Sequence, residues 1–449
     1  MFTKVIVANR GAVASRVLRA LNEMDIQSVA LYSEADAGAP YLAMASETYA
    51  IGPPPARESY LNQDLILDII RKSHADGLHP GYGFLSENAG FAQRVIDAGA
   101  RFIGPSPKWI DAMGHKTRAR ELAAQHGMPM SKGSPVLPMD NEAILKAARD
   151  IGYPVLVKPA GGGGGIGMLP AKDEAQLLET VERSRSMASR GFGNAEVYLE
   201  RLFERPRHVE FQILGDQHGN VAHLFERDCS TQRRNQKVIE EAPGPKIARE
   251  KAIEVAEHIT GIMRKIGYDN IGTVEMLMGA DGSFNFLEMN TRLQVEHGVT
   301  EEVTGVDLVK AQIRSAAGEK LSAILPAKIE IKGHAIQARV YAEDPKNFYP
   351  SPGKLNVFRP PVDGSVRVET GFAEGRDVTP HYDPMIAKVI AHADTREAAI
   401  DKLVGALESF EIQGLKHNIP AVLAVLKSEP FRAGDVHTGL IPEVLKKKV

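Results

Sequence analysis

The chain has 449 residues, 43% of them apolar and 25% charged, and its 54 basic and 57 acidic side chains leave a formal net charge of −3. That length exceeds one ordinary domain, and the near-neutral balance excludes a global attraction to nucleic acid or a membrane surface, so any anion must be gathered locally. The single cysteine, Cys229, excludes an internal disulfide and a cysteine-built zinc site.

No run of about 18 apolar residues offers a membrane span, and the opening MFTKVIVANRG runs straight into a strand pattern, so a cytoplasmic location is expected. KVIVAN precedes RGAVASRVLRALNEM, whose Val13, Val17, Leu18 and Leu21 fall near one helical face. SVALYS, ETYAIG, DGLHPGYGF and RFIGPSP read as further strands or strand ends, which together predict a parallel α/β unit over roughly the first hundred residues. The Gly11 turn lacks GxGxxG and reads as a tight βα turn in preference to a dinucleotide site. SPKWIDAMGHKTRARELAAQHGMP predicts a helical connector stopped by Pro129, and a compact stretch from about 131 to 202 follows. Beyond it, long strand patterns such as RHVEFQILGD, VAHLFERDCS and FNFLEMNTRLQVEH alternate with helical ones such as AREKAIEVAEHITGIMRKIG.

Within 131–202, VLVKPAGGGGGIGM sets Lys158 at the end of an apolar run and then five glycines. Glycine lets backbone N–H groups approach an anion with no Cβ in the way, and the lysine supplies a point charge. No GKS or GKT follows, so this is not a Walker A loop, and a flexible surface loop would show the same run; the residues alone leave both readings open. Further on, strand alternation from Glu288 puts Glu288, Asn290, Arg292, Gln294 and Glu296 on one face, with Leu287, Met289, Leu293 and Val295 on the other. Glu275 sits across a short ADGS turn, where a facing pair with Glu288 would need a cation between its oxygens, as Mg²⁺ provides. ERDCSTQRRNQKVIEEAP gathers Arg227, Arg233, Arg234 and Lys237 among Glu226, Glu240 and Glu241, a pattern that by itself reads as a solvated face.

These stretches in order, namely MGHK with Lys116, Lys158 with its glycines, YLERLFERPRHVEFQ, ERDCSTQRRNQK, FLEMNTRLQVEH, GHAIQARVYAEDP and YPSPGK, resemble the biotin carboxylases of the ATP-grasp superfamily over essentially the whole chain. The resemblance implies an α/β fold with an N-terminal parallel domain over 1–114, a connector over 115–130, a mobile lid over 131–202, a catalytic core over 203–330 and a mainly antiparallel C-terminal domain over 331–449. It implies that Lys116, Lys158 and Gly163, Gly164 and Gly165 hold ATP phosphates. Glu200 and the backbone at Arg201 and Phe203 would read adenine, with His208, Gln232 and Asn235 nearby. Glu275, Glu288 and Asn290 would bind Mg²⁺ or Mn²⁺. Bicarbonate would fall to Lys237, Arg292, Gln294 and the Val295 backbone, with Glu296 as general base and Arg339 facing the enolate of biotin. Attack of deprotonated bicarbonate on the γ-phosphate would give carboxyphosphate and ADP; its breakdown would release CO₂ and phosphate, the phosphate taking the ureido proton of biotin as biotin captures the CO₂.

The chain departs from the usual family pattern at His115, Ile166, Asn235 and Gly298. The last three resemble the branch that includes urea carboxylases, so the same half-reaction in a urea- or amide-type carboxylase stands beside an acetyl-CoA or acyl-CoA carboxylase. Another ATP-grasp carboxylate–amine ligase would share the lysines and metal carboxylates but not the Arg292–Glu296 ladder with Arg339. No Met-Lys-Met biotin-acceptor sequence occurs, so the expected partners are a separate biotin carboxyl carrier protein and a carboxyltransferase subunit. By the same resemblance Arg19 and Glu23 would lie at a homodimer contact, an ordinary i,i+4 pair being the alternative.

Overall fold

The computed structural model describes residues 1–161, 166–361 and 364–446. The N-terminal unit is the expected parallel sheet: β1 (Lys4–Val7), β2 (Gln27–Tyr32), β3 (Glu47–Ala50), β4 (Gly77–His79) and β5 (Arg101–Phe102) lie in the order β3-β2-β1-β4-β5. The strand order reverses between β1 and β4, so their C-terminal ends open a crevice. Asn9 spans it by donating to the carbonyls of Pro80 (2.7 Å) and Tyr82 (2.8 Å). Helix Gly11–Glu23 buries Val13, Val17, Leu18 and Leu21 as its periodicity predicts. Gly11 has φ +65° and meets another backbone: a Cβ on Gly371 would sit 2.4 Å from Gly11 Cα. The glycine therefore permits close domain contact, as a tight turn and not as a phosphate loop.

Helices Pro107–Gly114 and Lys116–Gln125 form the connector, which ends just before Pro129. The stretch expected to be the lid, called the lid below, follows, with β6 (Val155–Pro159), β7 (Leu169–Ala171) and β8 (Val197–Arg201) in the order β7-β6-β8. Helices Asn141–Ile151 and Glu174–Phe192 close its core of Ile144, Val155, Val157, Leu177, Val197 and Leu199. That core is a separate apolar cluster, distinct from those of the sheets on either side of it.

The remainder is organised by β9 (Arg207–Gly215), β10 (Val221–Arg233), β11 (Gln236–Ala242), β12 (Asn270–Met278), β13 (Phe284–Asn290), β14 (His334–Tyr341), β15 (Gly353–Lys354), β16 (Val357–Arg359), β17 (Arg367–Glu369), β18 (Asp377–Val378), β19 (Met385–Ala393) and β20 (Glu411–Gln413). Eight of these form one antiparallel sheet in the order β13-β12-β9-β10-β11-β14-β19-β17. Pairing of β11 with β14 carries this sheet across the 330/331 boundary, so the core and C-terminal stretches share a continuous floor. Among the described residues no helix is long and apolar enough to cross a membrane.

Candidate active site

A cleft of about 740 Å³ lies between lid, floor and N-terminal crevice. It is lined by Lys116, Lys158, Glu200, Arg201, Phe203, His208, Gln232, Asn235, Lys237, Glu275, Glu288, Asn290, Arg292, Gln294, Val295 and Arg339, nearly every side chain singled out in the sequence. Gly163, Gly164 and Gly165 lie outside the described residues.

On the lid side, β6 and β8 run antiparallel with Leu156 opposite Glu200 and Lys158 opposite Tyr198. Lys158, 2% exposed, donates to Glu200 Oε1 at 3.0 Å, and Arg120 meets the same oxygen at 3.1 Å. Burial alone would raise the Glu200 carboxyl, but these two cations outweigh it and hold it below its ordinary value. The backbone N–H of Arg201 is engaged by the Lys132 carbonyl at 2.9 Å.

On the floor, Glu275 and Glu288 are cross-strand neighbours, as the hairpin reading requires. Their oxygens face cations of the protein itself. Glu275 accepts from Lys237 (2.8 Å), Asn290 (2.8 Å) and Gln294 (3.1 Å) and meets His208 Nε2 at 2.9 Å, while Glu288 lies 3.3 Å from Lys116 Nζ. The donors are hard oxygens of the kind Mg²⁺ takes, so Glu275, Glu288 and the Asn290 amide oxygen fit that ion chemically. Burial works against a charge on His208, but Glu275 prevails and raises its pKa; Gln232 donates to His208 Nδ1 at 2.8 Å.

The strand predicted through Glu296 ends at Asn290. Leu293, fully buried, anchors the chain in the core beside Leu308 and Val309, and the following residues turn until Glu296 stands at the N-terminal boundary of helix His297–Thr304. The turn still delivers Arg292, Gln294 and Val295 to the cleft lining, while Glu296 is buried beneath it and reached through Lys237 and Arg339, which do line it. Arg292 donates to Asn290 Oδ1 (2.8 Å), Gln294 Oε1 (2.9 Å) and Glu87 Oε2 (2.8 Å), the last from the N-terminal unit. Glu296, 0% exposed, takes Lys237 on Oε1 at 2.7 Å and Arg339 on Oε2 at 3.0 Å. Burial would push its carboxyl up, yet Lys237 and Arg339 hold it well below the usual range.

Several residues of this site escaped the sequence reading. Glu210 lies 2.5 Å from Lys237 Nζ and 2.6 Å from Arg227 Nε, with both Glu210 and Arg227 fully buried. The alternation His208, Glu210, Gln212 along β9 carried that signal. Glu240 receives Arg339 Nε at 2.5 Å, and Tyr82 and Gly83 enter from the crevice between β1 and β4. The solvated-face reading of this stretch is overturned: Glu226, Arg227, Arg233, Glu240 and Glu241 are all buried, Arg233 against Glu343 at 2.7 Å, because the stretch forms two inner strands of the sheet.

The departures have local causes. Arg234 and Asn235 have φ +51° and +64°, the two-residue turn joining β10 to β11, a conformation asparagine tolerates well. A Cβ at Gly298 would sit 2.4 Å from Ile390 Cδ1, so the bare position admits that side chain. His115 Nδ1 lies 3.0 Å from the Thr117 hydroxyl. Arg19 and Glu23 do not pair with each other; they meet Glu369 (2.9 Å) and Lys310 (2.7 Å).

Comparison with known proteins decides the family. Residues 1–110 match the biotin carboxylase N-terminal domain, 115–324 the ATP-binding domain of the carbamoyl-phosphate synthase L chain, and 337–443 the biotin carboxylase C-terminal domain. A biotin carboxylase of Halalkalibacterium halodurans is 46% identical over 448 residues, covering 100% of this chain and 99% of its own. The chain belongs to the biotin carboxylase family. Like its relatives it is an ATP-dependent carboxylase ligase built on the ATP-grasp fold. Biotin carboxylase 2 of Bacillus subtilis is 46% identical over 445 residues, covering 99% of this chain and 100% of its own. The biotin carboxylase domain of Hydrogenobacter thermophilus 2-oxoglutarate carboxylase, solved as a dimer with MgADP, ADP and bicarbonate, matches with a TM-score of 0.95 at 43% identity over 99% of each chain.

Proposed function

We propose that this chain carboxylates biotin carried on a separate protein, using ATP and bicarbonate by way of carboxyphosphate. The observation that carries the reading is Glu296, a buried carboxylate gripped at once by Lys237 and Arg339 and preceded by Arg292 and Gln294. Lys116 and Lys158 hold the phosphates together with Gly163, Gly164 and Gly165; Glu200, Arg201 and Phe203 take the adenine side, with His208 and Gln232 beside the sugar and Asn235 also on the ATP. Glu275, Glu288 and Asn290 supply oxygens for Mg²⁺, which when bound offsets phosphate charge.

Bicarbonate is a weak nucleophile until a base takes its proton. Glu296 is ionised but poorly basic while Lys237 and Arg339 face it. A bicarbonate ion taken by Lys237, Arg292, Gln294 and Val295 draws Lys237 away, and the Glu296 carboxylate regains basicity at the moment its proton donor arrives. Arg339, oriented by Glu240, then supplies fixed N–H donors to the enolate that biotin develops.

The proposal extends to a homodimer located in the cytoplasm, working with a biotin carboxyl carrier protein and a carboxyltransferase subunit of an acetyl-CoA or acyl-CoA carboxylase. Asn235 and Gly298 favour a second reading of the acceptor, a urea- or amide-type substrate. The test is ADP release with and without bicarbonate, then with free biotin added. The expected result is bicarbonate-dependent release stimulated by biotin. Equal release in bicarbonate-free buffer overturns the proposal.

A further inference from the structure

The turn that presents the bicarbonate groups is held from behind by two buried side chains that have no part in the chemistry proposed for the cleft. The peptide joining Gln294 to Val295 presents the Val295 N–H on one side; on the other its oxygen, Gln294 O, lies 2.7 Å from His297 Nδ1. A carbonyl can only accept, so the imidazole proton sits on Nδ1 and donates. The next peptide, joining Val295 to Glu296, is held in the same way: Val295 O accepts from Lys388 Nζ at 2.9 Å. His297 and Lys388 are both 0% exposed.

Lys388 stands opposite Arg339 across β14 and β19, and opposite Glu369 across β17 and β19. Directly opposed residues of antiparallel strands share a face, so one row carries the Arg339 that grips Glu296 and the Lys388 that grips the peptide before it. Glu369 lies 2.8 Å from Lys388 Nζ and is also met by Arg19 at 2.9 Å and by Arg367. A fully buried lysine is expensive, and burial pulls the Lys388 and His297 pKa values down. Core filling alone needs only an apolar chain of the same shape; what the apolar chain lacks is the charge that meets Glu369, which Arg19 and Arg367 also supply, and the donor to Val295 O.

We propose that His297 and Lys388 are positioning residues for the bicarbonate site, fixing the planes of two successive peptides so that the Val295 N–H, Gln294 and Glu296 converge on one anion. The His297 bond also makes the Val295 N–H a better donor, because hydrogen bonds in series polarise one another. Neither residue touches the anion.

This inference rests on the bicarbonate reading, and the wild-type protein tests that reading first, since ADP release without bicarbonate dependence removes both. Given dependence, Lys388→Met, His297→Leu and His297→Asn are compared for bicarbonate KM, ATP KM and melting temperature. Lys388→Met and His297→Leu are expected to raise the bicarbonate KM about tenfold, as loss of one hydrogen bond at a charged site does, with ATP KM within about twofold. Asparagine can place an amide N–H near the Nδ1 position, so His297→Asn should recover most of the loss. Unchanged bicarbonate KM, or bicarbonate and ATP KM rising together, overturns the proposal, as does failure of His297→Asn to rescue at an unchanged melting temperature. Glu369 keeps Arg19 and Arg367 when Lys388 is removed, which favours folding of Lys388→Met; if it does not fold, the His297 pair decides alone.

Discussion

The lid and the floor of the cleft each carry a buried lysine to which the proposed function gives an anion, but they keep it in different surroundings. Lys158 on the lid shares one carboxylate, Glu200, with a second cation, Arg120. Lys237 on the floor is one cation among three carboxylates, Glu210, Glu275 and Glu296. The lid arrangement is redundant: remove the lysine and Glu200 remains compensated. Removing the floor lysine leaves four buried carboxylates, counting Glu240, to Arg227, Arg339 and His208, so negative charge is left in excess. The lid also owns a separate apolar core, whereas the floor is one sheet shared by the core and C-terminal stretches. Charge redundancy and a private core suit a part that moves as a unit; concentrated charge on a continuous sheet suits a part that must hold reacting groups still.

The largest expected effect lies on the floor. Glu296→Gln preserves shape and removes the base, so carboxylation should fall by about 10²–10⁴-fold while ATP binding stays nearly unchanged. Rapid-quench carboxylation beside equilibrium nucleotide binding checks this. A parallel loss of ATP affinity would show that Glu296 serves the nucleotide and that the floor does not separate the two substrates.

Lys237→Met should abolish activity and also cost stability, on the order of 3 kcal/mol, because it removes one buried cation from three carboxylates and leaves Arg227, His208 and Arg339 to cover them with Glu240. The pH dependence sharpens the point. A carboxylate held below its unfolded value of about 4.3 contributes stability above that pH, and this contribution is lost as pH falls. Glu275 and Glu296 are such groups, with Lys237 the leading cation for each; Glu210 and Glu240, which burial pushes up, act in the opposite sense. Without Lys237 the first two rise as well. Thermal melts of the variant should start from a lower plateau and fall less steeply as pH drops below about 4.3 than those of wild type, because the depressed carboxyls that made stability acid-labile are no longer depressed; identical acid profiles would count against a shared cation.

On the lid, Lys158→Ala should weaken ATP by about tenfold, with bicarbonate KM and melting temperature nearly unchanged because Arg120 still covers Glu200. A melting loss as large as that of Lys237→Met would erase the distinction between the two regions.

How much of this was legible in the chain follows the same division. The parallel N-terminal sheet is written in local apolar runs and helical periodicity, and the Glu275–Glu288 pairing in alternation across a short turn. Alternation failed after Asn290 because burial of Leu293 and the start of the His297 helix are tertiary facts that period-two patterning cannot contain. Arg292, Gln294 and Glu296 nonetheless converge, through a turn in place of a strand. Glu87, Glu240 and Lys388 were illegible for another reason: their partners Arg292, Arg339 and Val295 lie between 93 and 205 positions away in sequence. Glu210 was legible and passed over, since His208, Glu210 and Gln212 repeat the same alternation.

The smallest expected effect concerns the end of the lid's glycine run. Ile166 is 49% exposed, and Gly167, at φ +77°, is tied to the helix Glu174–Phe192 by Ser184 Oγ donating to its carbonyl at 2.6 Å. An apolar side chain at that exposure adds nothing to anion binding, so under the proposed function the positive charge for the phosphates falls to Lys116 and Lys158. Ile166→Lys supplies one more cation at the tied end of the run without disturbing the lid core, to which Ile166 does not belong. It should tighten ATP by roughly two- to fivefold at low ionic strength, the size of one exposed charge interaction of about 0.4–1 kcal/mol. The gain should shrink as salt shortens the screening length from about 10 Å at 0.1 M to about 3 Å at 1 M. Titration of ATP at two salt concentrations separates the outcomes. A gain that persists in high salt means the new side chain acts by packing, and no gain at either salt means the tied end of the run lies beyond reach of the phosphates.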